Sequence, residues 1–385
     1  QHIIADGYAL PWQVLAITFT NKAAGELKER LKAMLGDTMG GDVFASTFHS
    51  ACVRILRRDA ERIGFPKSFT IYDSDDQQRV IKQIYKELMI DDKFLPVKSA
   101  ISQISGYKDK LLSAKDVAAE APRDTKAALI SKIYTAYSNR LRTAGAMDFD
   151  DLIFHTVQML KTDAEAREYY QQKFRYVVVD EYQDTNALQD AIYFALAAPD
   201  ASNLFFVGDI KQSIYRFRQA DPSVFVGKQT AWQPYPADAP VPYPEPATIA
   251  LDANFRSAPD VIRGINYFFE TFFSRRLGGI DYGDGQRLVV GRKDETYPGL
   301  CELDVIREAD TAADARTIAA RIAQMMADGY PVRDAEPGKT RPCQYDDFCI
   351  LLRGRSDFAL YEAALTALDI PVYADVAADL LDAPH

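Results

Sequence analysis

Four short apolar runs, each followed by a polar turn and then by a helical pattern, most constrain what this chain can fold into. The runs lie at residues 14–20, 43–47, 176–180 and 204–207. Short apolar runs predict buried strands, and strands that alternate with helices predict a parallel sheet joined by crossover helices. The sequence therefore predicts an α/β fold built around a parallel sheet.

The strand pattern is interrupted between about residue 73 and residue 160. Amphipathic patterns rich in Lys, Gln, Ala and Leu replace it and predict helices. These helices are expected at residues 75–90, 96–113, 123–143 and 149–161. Because the strand pattern returns at residue 176, we interpret this stretch as an all-helical insertion within one sheet domain.

A proline-rich segment at residues 233–247, which holds six of the 19 prolines, marks a domain boundary. Beyond it, a second, incomplete α/β unit is predicted, with strands at 301–306 and 348–352 and helices at 259–273, 310–327 and 357–368. We therefore expect a first domain formed by residues 1–72 and 166–235, an insertion at 73–165, and part of a second domain at 245–385.

Composition excludes several classes of protein. No run of about 18 apolar residues occurs, so no membrane span is expected. The four cysteines are scattered and form no CxxC pair, which argues against a disulfide framework or a structural zinc site. The formal net charge of −10 argues against nucleic-acid binding on bulk charge alone, although an acidic protein can carry a local basic groove.

Two adjacent acids follow the third strand run, in the sequence VVVDEYQD at residues 177–184. Ligands of open α/β sheets bind at the carboxyl ends of the strands. There, Asp180 is suited to hold Mg²⁺ and Glu181 to orient or deprotonate an attacking water. The alternative is a strand end that the acids merely solvate.

A second polar segment, residues 208–218, follows the next strand run. Gln212 is a neutral amide suited to sensing a terminal phosphate by hydrogen bonding. Tyr215, Phe217 and Arg218 combine flat rings with a guanidinium, a composition that stacks unpaired bases. The alternative is a helix start whose aromatic residues pack in the core.

Further candidates lie after the boundary and at the first two strand ends. In LDANFRS, Arg256 is suited to act on developing phosphate charge and Phe255 to offer a ring to a purine, although such an arginine also fits a surface ion pair. The segments TFTNKAA and STFHS place hydroxyls and aromatic rings before helix starts, which suits contact with a phosphate backbone. Asn21 is expected to cap the first of these helices.

Taken in order, these segments resemble the motifs of superfamily 1 DNA helicases of the UvrD/Rep/PcrA and RecB/AddA group. TFTNKAA resembles motif Ia, STFHS motif Ib, VVVDEYQDTNALQ motif II, VGDIKQSIYRFRQADP motif III and LDANFRS motif IV. The form of motif III is closer to the AddA/RecB branch, whereas DEYQDTN and the insertion favour UvrD/PcrA. Both branches stay open.

The resemblance implies a RecA-like ATPase domain with a helical insertion, followed by part of a second RecA-like domain. It implies a cytoplasmic enzyme of DNA repair or recombination that couples hydrolysis of ATP, with Mg²⁺, to 3′-to-5′ movement on single-stranded DNA and at junctions with duplex. The AddA/RecB branch would add a partner nuclease or helicase subunit. The alternative is a non-hydrolysing remnant that binds DNA or a partner.

The resemblance also implies residue roles. Asp180 would hold Mg²⁺, Glu181 would be the catalytic base, and Gln212 would couple the γ-phosphate to DNA. Arg256 would contact that phosphate from the second domain, and Phe255 would stack on adenine. The residues implied to contact the DNA strand are Phe19, Asn21, Thr47, His49, Tyr215, Phe217 and Arg218.

The phosphate-binding loop of this family, GxxxxGK[ST], does not occur in the 385 residues. Gly338-Lys339-Thr340 is similar, but Arg333 stands where the first glycine should be, so we expect a plain loop there. We therefore expect this polypeptide to hydrolyse ATP poorly or not at all, and we expect the later helicase motifs and any nuclease domain to lie outside it.

Overall fold

The computed structural model describes most of the chain and divides it into two compact units, Gln1–Ile249 and Ala250–His385. The described residues are 1–120, 125–215, 220–236, 238, 245–278, 281–283, 285–291, 299–306, 310–334, 336 and 338–374. Within these residues, no helix is both long and apolar enough to cross a membrane.

Strands and helices alternate along much of the described chain. The strands are β1 (Val14–Thr18), β2 (Phe44–Thr47), β3 (Thr70–Tyr72), β4 (Ala146–Asp148), β5 (Tyr176–Val179), β6 (Leu204–Phe206), β7 (Gln233–Pro234), β8 (Ala247–Thr248), β9 (Ala253–Asn254), β10 (Val289–Val290), β11 (Pro331–Arg333) and β12 (Thr340–Pro342). The helices are α1 (His2–Ala5), α2 (Asn21–Leu35), α3 (Asp37–Asp42), α4 (Phe48–Asp59), α5 (Ser74–Leu88), α6 (Val97–Asp109), α7 (Ala114–Ala119), α8 (Thr125–Thr143), α9 (Phe149–Thr162), α10 (Ala164–Lys173), α11 (Ala187–Leu196), α12 (Pro222–Ala231), α13 (Pro259–Phe272), α14 (Arg275–Gly278), α15 (Thr311–Ala327) and α16 (Phe358–Thr366).

The first unit is built on a four-stranded sheet with the order β2-β1-β5-β6. All three pairings in it are parallel. Neighbouring strands are joined by helices, since α2 and α3 lie between β1 and β2, and α11 lies between β5 and β6. The α/β prediction is therefore confirmed.

Side chains of β1 alternate between two cores, as the period of a strand dictates. Leu15 and Ile17 belong to the larger core, which also contains residues of α4, α9, α10 and α11. Val14 and Ala16 belong to a smaller core with Leu35 of α2. Helices cover both faces, which explains why every residue of β1 is buried.

The helical insertion has its own core, formed by α5, α6, α7 and α8. Its base is a parallel pair of short strands, β3 and β4, neither of which the sequence predicted. Three residues, Ala-Met-Asp, carry too little strand signal to be recognised without their partner. The helix α9, placed with the insertion from its sequence, contributes Leu152, Val157 and Leu160 to the core under the sheet.

The second unit contains a small core of Ala319, Ile322, Leu365 and Ile370 between α15 and α16. Its described strands form two separate pairs, parallel β9–β10 and antiparallel β11–β12. The predicted strands at 301–306 and 348–352 are wrong, since neither segment joins a ladder among the described residues. An apolar run becomes a strand only where a neighbouring strand accepts its hydrogen bonds. Residues 348–352 have no such neighbour in the described chain, and Leu351 is 89% exposed.

The Gly338-Lys339-Thr340 sequence lies where β11 turns back into β12, with Gly338 at φ 79°. Lys339 forms an ion pair with Glu336, three residues earlier. This segment connects two antiparallel strands and leads into no helix, as expected for a plain loop.

Candidate active site

Two loops meet at the carboxyl edge of the sheet, one after β5 and one after β6. The backbone N–H of Asp180 donates to the Ile17 carbonyl at 2.8 Å, and that of Tyr182 donates to the Val207 carbonyl at 2.9 Å. These bonds continue the ladder past the strand ends. Glu181, between them, has φ 55°, a left-handed conformation that only a minority of non-glycine residues adopt.

Gly208 allows the two loops to approach closely. A Cβ atom at this position would lie 2.7 Å from Oε1 of Gln183 and 3.1 Å from its backbone nitrogen. Oε1 of Gln183 accepts the backbone N–H of Asp209 at 3.0 Å, which joins the loops directly. Any side chain at position 208 would push them apart.

Several buried side-chain oxygens near the carboxyl edge of the sheet have no hydrogen-bond partner. Four buried side-chain polar atoms lack a hydrogen-bond partner in the described part of the chain, and three of them are Thr18 Oγ1, Glu181 Oε2 and Asp184 Oδ1. Each such atom costs about 1–3 kcal/mol of stability. All three belong to the end of β1 or to the loop after β5, and each is free to accept a hydrogen bond.

The chemistry of these oxygens fits a hard cation. Asp180 is exposed next to them, and its Oδ1 accepts the Glu181 N–H at 3.0 Å. The residues with described positions contain no group of three or more His, Cys, Asp or Glu able to hold a metal. Mg²⁺ needs no such cage, because it binds through one or two carboxylates together with waters and phosphate oxygens.

Burial and, after it, the neighbouring negative charge of Glu181 raise the pKa of Asp184 from 3.8 to about 6. A hydrogen bond from the backbone N–H of Tyr215 offsets part of this shift. Asp184 is only 3% exposed. The loop after β5 therefore holds two acids in a partly dehydrated place, where the second carboxylate is costly to charge.

Gln212 belongs to the same assembly of loops. Its Nε2 donates to Oδ2 of Asp209 at 2.9 Å, while Lys211 Nζ lies 2.8 Å from Oδ1. Burial alone would raise the pKa of Asp209, but the bonds from Lys211 and Gln212 and the Lys211 charge lower it overall. Asp209 is thus a charged anchor that orients the exposed amide of Gln212.

An aromatic pair lies beside these loops. The rings of Phe19, after β1, and Tyr215, after β6, have centroids 4.7 Å apart and planes tilted by 34°. Two residues that were singled out from separate motifs are therefore neighbours in space. Phe217 and Arg218, singled out with Tyr215, lie outside the described residues.

Three further candidates for strand contact stand at the starts of α2 and α4. Asn21 is exposed, but it does not cap α2; the Thr20 hydroxyl does so, accepting the Ala23 N–H at 3.1 Å. The predicted cap was wrong by one residue, because the chain turns into the helix at Asn21 itself. Thr47 is buried, and its hydroxyl lies 2.9 Å from that of Ser50.

His49 packs against the Phe149 ring with centroids 6.0 Å apart. Burial lowers its pKa, which keeps the imidazole neutral near pH 7. A neutral ring can donate or accept a hydrogen bond but does not attract phosphate by charge. This environment suits a polar contact rather than an ionic one.

Phe255 and Arg256 belong to the second unit. Oδ1 of Asn254 accepts the backbone N–H groups of Arg256 at 3.0 Å and Ser257 at 2.8 Å, which fixes a turn. Phe255 is 67% exposed and lies against Gly291, and the Arg256 guanidinium is exposed without an ion pair among the described residues. Both side chains are available for a ligand.

Several residues of the site escaped sequence reasoning. Thr18, Asp184 and Asp209 lie inside the quoted segments but have no obvious role in isolation. The only available signal was their position within or shortly after the predicted strand runs 14–20, 176–180 and 204–207.

Comparisons with known proteins show which family the chain resembles. Residues 1–233 match the model of the UvrD/REP helicase N-terminal domain. The chain is 40% identical over 302 residues to the ATP-dependent DNA helicase PcrA of Staphylococcus aureus strain Mu50, covering 77% of this chain and 39% of that protein. It is 40% identical over 294 residues to the PcrA of Staphylococcus epidermidis strain RP62A, covering 76% of this chain and 38% of that protein.

The chain thus spans about two-fifths of the length of these relatives. The match from residue 1 to residue 233 takes in motifs Ia, Ib, II and III, and it includes the whole parallel sheet. The resemblance drawn from the motifs is confirmed, and the chain belongs to the UvrD/REP helicase family.

Proposed function

We propose that this chain carries the motor core of an ATP-dependent DNA helicase that moves 3′ to 5′ on single-stranded DNA. The observation that carries the proposal is the meeting, at one sheet edge, of an acidic loop with unpartnered oxygens, an oriented amide and an aromatic pair. The PcrA relatives, which are ATP-dependent DNA helicases by name, support it.

On the nucleotide side, the residues present fit ATP with Mg²⁺, whose charge would neutralise the phosphates. Asp180, exposed at the end of β5, holds the cation. Glu181 orients or deprotonates the attacking water, and its unpartnered Oε2 is free to accept that hydrogen bond. Gln212, which Asp209 orients, hydrogen-bonds the terminal phosphate and couples its presence to the DNA.

From the second unit, we propose that Arg256 contacts the developing charge on the phosphate and that Phe255 stacks on the adenine. Charge stabilisation by an arginine in the transition state is a general device of phosphoryl transfer. The exposure of both side chains supports these roles.

On the DNA side, Phe19 and Tyr215 offer ring surfaces on which bases stack, a sequence-tolerant form of binding. Asn21, Thr47 and His49 contribute hydrogen-bonding groups at helix starts nearby in the same sheet domain. Phe217 and Arg218 complete the proposed track. We further propose that junctions with duplex are substrates and, for the AddA/RecB branch, that a partner subunit joins the protein.

A narrower proposal concerns the 385-residue polypeptide alone. It contains no GxxxxGK[ST] sequence, whose backbone amides and lysine cradle the β-phosphate in P-loop enzymes. We therefore propose that this polypeptide binds single-stranded DNA but hydrolyses ATP poorly.

Two measurements on the purified polypeptide test these proposals. Fluorescence anisotropy with a labelled oligothymidylate should show saturable binding that weakens as salt rises. Phosphate release with and without DNA should stay close to background. No binding at low salt would overturn the DNA-binding proposal, and robust Glu181-dependent hydrolysis would overturn the proposal of a deficient ATPase.

A further inference from the structure

Gln183 has no part in the roles proposed so far, although it lies two residues after Glu181 and is buried. It belongs to the short turn Tyr182–Asp184, which follows β5. A buried amide that forms hydrogen bonds is costly to remove, because its partners are then left unsatisfied. The partners of Gln183 therefore show what this residue holds in place.

Those partners lie at both ends of the single helical turn Ile210–Gln212, which carries the amide of Gln212. Asp209 precedes this turn, and its backbone N–H donates to Oε1 of Gln183 at 3.0 Å. Ser213 follows the turn, and its hydroxyl donates to the backbone carbonyl of Gln183 at 3.2 Å. One residue of the loop after β5 thus fixes the turn at its start and at its end.

Both ends of the turn lead to side chains with proposed roles. At the start, Asp209 orients the exposed amide of Gln212, whose Nε2 donates to Oδ2 of Asp209 at 2.9 Å. At the end, Ser213 stands two residues before Tyr215, whose ring lies 4.7 Å from that of Phe19 between centroids. A displacement of the turn therefore moves the amide and the ring together.

We propose that Gln183 is a positioning residue that holds the turn Ile210–Gln212 and, through it, the amide of Gln212 and the ring of Tyr215. This inference rests on the proposed function, in which Gln212 lies beside the nucleotide and Tyr215 beside the strand. When only a fraction of the molecules has the loop in place, the apparent affinity for a ligand falls by that fraction. Loss of the Gln183 bonds should therefore weaken single-strand binding without removing any group that contacts the strand.

The decisive experiment is a double-mutant cycle in the affinity for a labelled oligothymidylate. Gln183→Met keeps the approximate size of the side chain but removes the oxygen that accepts the Asp209 N–H. It should weaken binding by about threefold to tenfold, as expected when one hydrogen bond that holds the loop is lost. The double variant Gln183→Met/Tyr215→Ala should bind no more weakly than Tyr215→Ala, because Gln183 acts through the ring that the second change removes.

Gln171→Met is the matched control for the loss of a glutamine bond. Gln171 lies in α10, and its Nε2 donates to the Ala195 carbonyl of α11 at 3.1 Å, so it joins two helices rather than the two loops. The control should lower thermal stability but leave the single-strand affinity unchanged. At the second attachment point, Ser213→Ala removes the hydroxyl and should weaken binding, whereas Ser213→Thr keeps it and should restore the affinity of the unchanged protein.

Hydrogen exchange gives a second readout that does not depend on DNA. Peptides covering residues 209–215 should exchange faster in Gln183→Met than in the unchanged protein, whereas peptides from α4 should not. If Gln183→Met does not fold, Ser213→Ala leaves the buried amide intact and tests the same attachment in both measurements.

The outcomes separate this inference from the function on which it rests. Additive effects in the cycle, unchanged exchange in residues 209–215, or an equal loss of affinity in Gln171→Met would overturn the positioning role and leave the DNA track intact. Failure of the unchanged protein to bind single-stranded DNA would overturn the proposed function instead. The exchange of residues 209–215 would then still decide whether Gln183 holds the turn.

Discussion

Lys108 Nζ lies 2.7 Å from Oδ2 of Asp148, and both side chains are almost completely buried. The same ammonium lies 2.7 Å from Asp151 Oδ1, and the Tyr137 hydroxyl donates to Asp148 at 2.9 Å. Burial alone would lower the pKa of Lys108, but the charges of Asp148, Asp151 and Asp150 raise it overall. One buried cation from α6 therefore offsets part of the negative charge at the start of α9.

Lys108→Met should destabilise the protein by about 3–5 kcal/mol, because it leaves buried carboxylates without a counter-ion. The measurement is chemical denaturation followed by circular dichroism. Lys110→Met is the matched control, since Lys110 is exposed two residues later and should cost less than about 0.5 kcal/mol. Equal stability of the two variants would contradict the importance of the ion pair.

The raised pKa of Asp184 should be visible in how the stability of the protein depends on pH. A carboxyl whose pKa is about 6 in the folded state and 3.8 otherwise binds its proton more tightly when folded, so its contribution to stability falls as pH rises from about 4 to 6. Asp184→Asn should therefore be more stable than the unchanged protein above pH 6, by about 1–3 kcal/mol. The difference should shrink steadily between pH 6 and pH 5; a constant difference would show that the shift is absent.

Gly208→Ala should destabilise the protein by about 1–3 kcal/mol, because the added methyl group would meet Gln183 at less than van der Waals distance. Gly227→Ala is the control, as a Cβ there meets nothing within 4 Å. Gly227 lies in α12, where alanine should be neutral or stabilising by up to about 1 kcal/mol. Thermal melting of both variants decides whether the close contact of the two loops matters.

Phe19→Ala and Tyr215→Ala should each weaken single-strand binding by about 1–3 kcal/mol, the usual loss for one stacked base. Phe205→Ala, an exposed ring on β6, should leave the affinity unchanged. Anisotropy titrations at one fixed salt concentration provide the comparison. Full affinity in both test variants would remove the aromatic pair from the DNA track.

Glu181→Gln tests the assignment of the base. In a form of the protein that hydrolyses ATP, the variant should bind nucleotide normally and turn over on the order of 10²-fold more slowly, because an amide cannot accept the proton from water. Single-turnover phosphate release together with a nucleotide-binding titration separates the two steps. Unchanged turnover would reject Glu181 as the base.

Local sequence patterns were sufficient to predict many of the helices and strands of the first unit. The helix expected at 75–90 is Ser74–Leu88, and the one expected at 149–161 is Phe149–Thr162, because both have a continuous apolar face and an acid at the cap position. The positions of Asp180 and Glu181 followed from the apolar strand before them. Strands β3 and β4 were both missed, because each is three residues long and pairs only with the other.

Contacts between distant loops could not be predicted from the sequence. The bond between the Asp209 N–H and Oε1 of Gln183 joins residues 26 positions apart, and neither segment by itself indicates that the other is its partner. The wrong strands in the second unit show the same limit, since an apolar run does not reveal whether a partner strand exists. The roles of Gln212, Phe255 and Arg256 stay predictions that ligand-binding measurements must test.

The parallel pair at the base of the insertion has a practical consequence. Thr70 stands opposite Ala146 and Tyr72 opposite Asp148, so the chain departs into α5–α8 and returns one strand's width away. Such a segment can be cut out and grafted between homologues as a cassette, with splice points beside residues 73 and 145. The cassette must bring its own cation at the place of Lys108; otherwise Asp148 and Asp151 are left to repel each other in the interior.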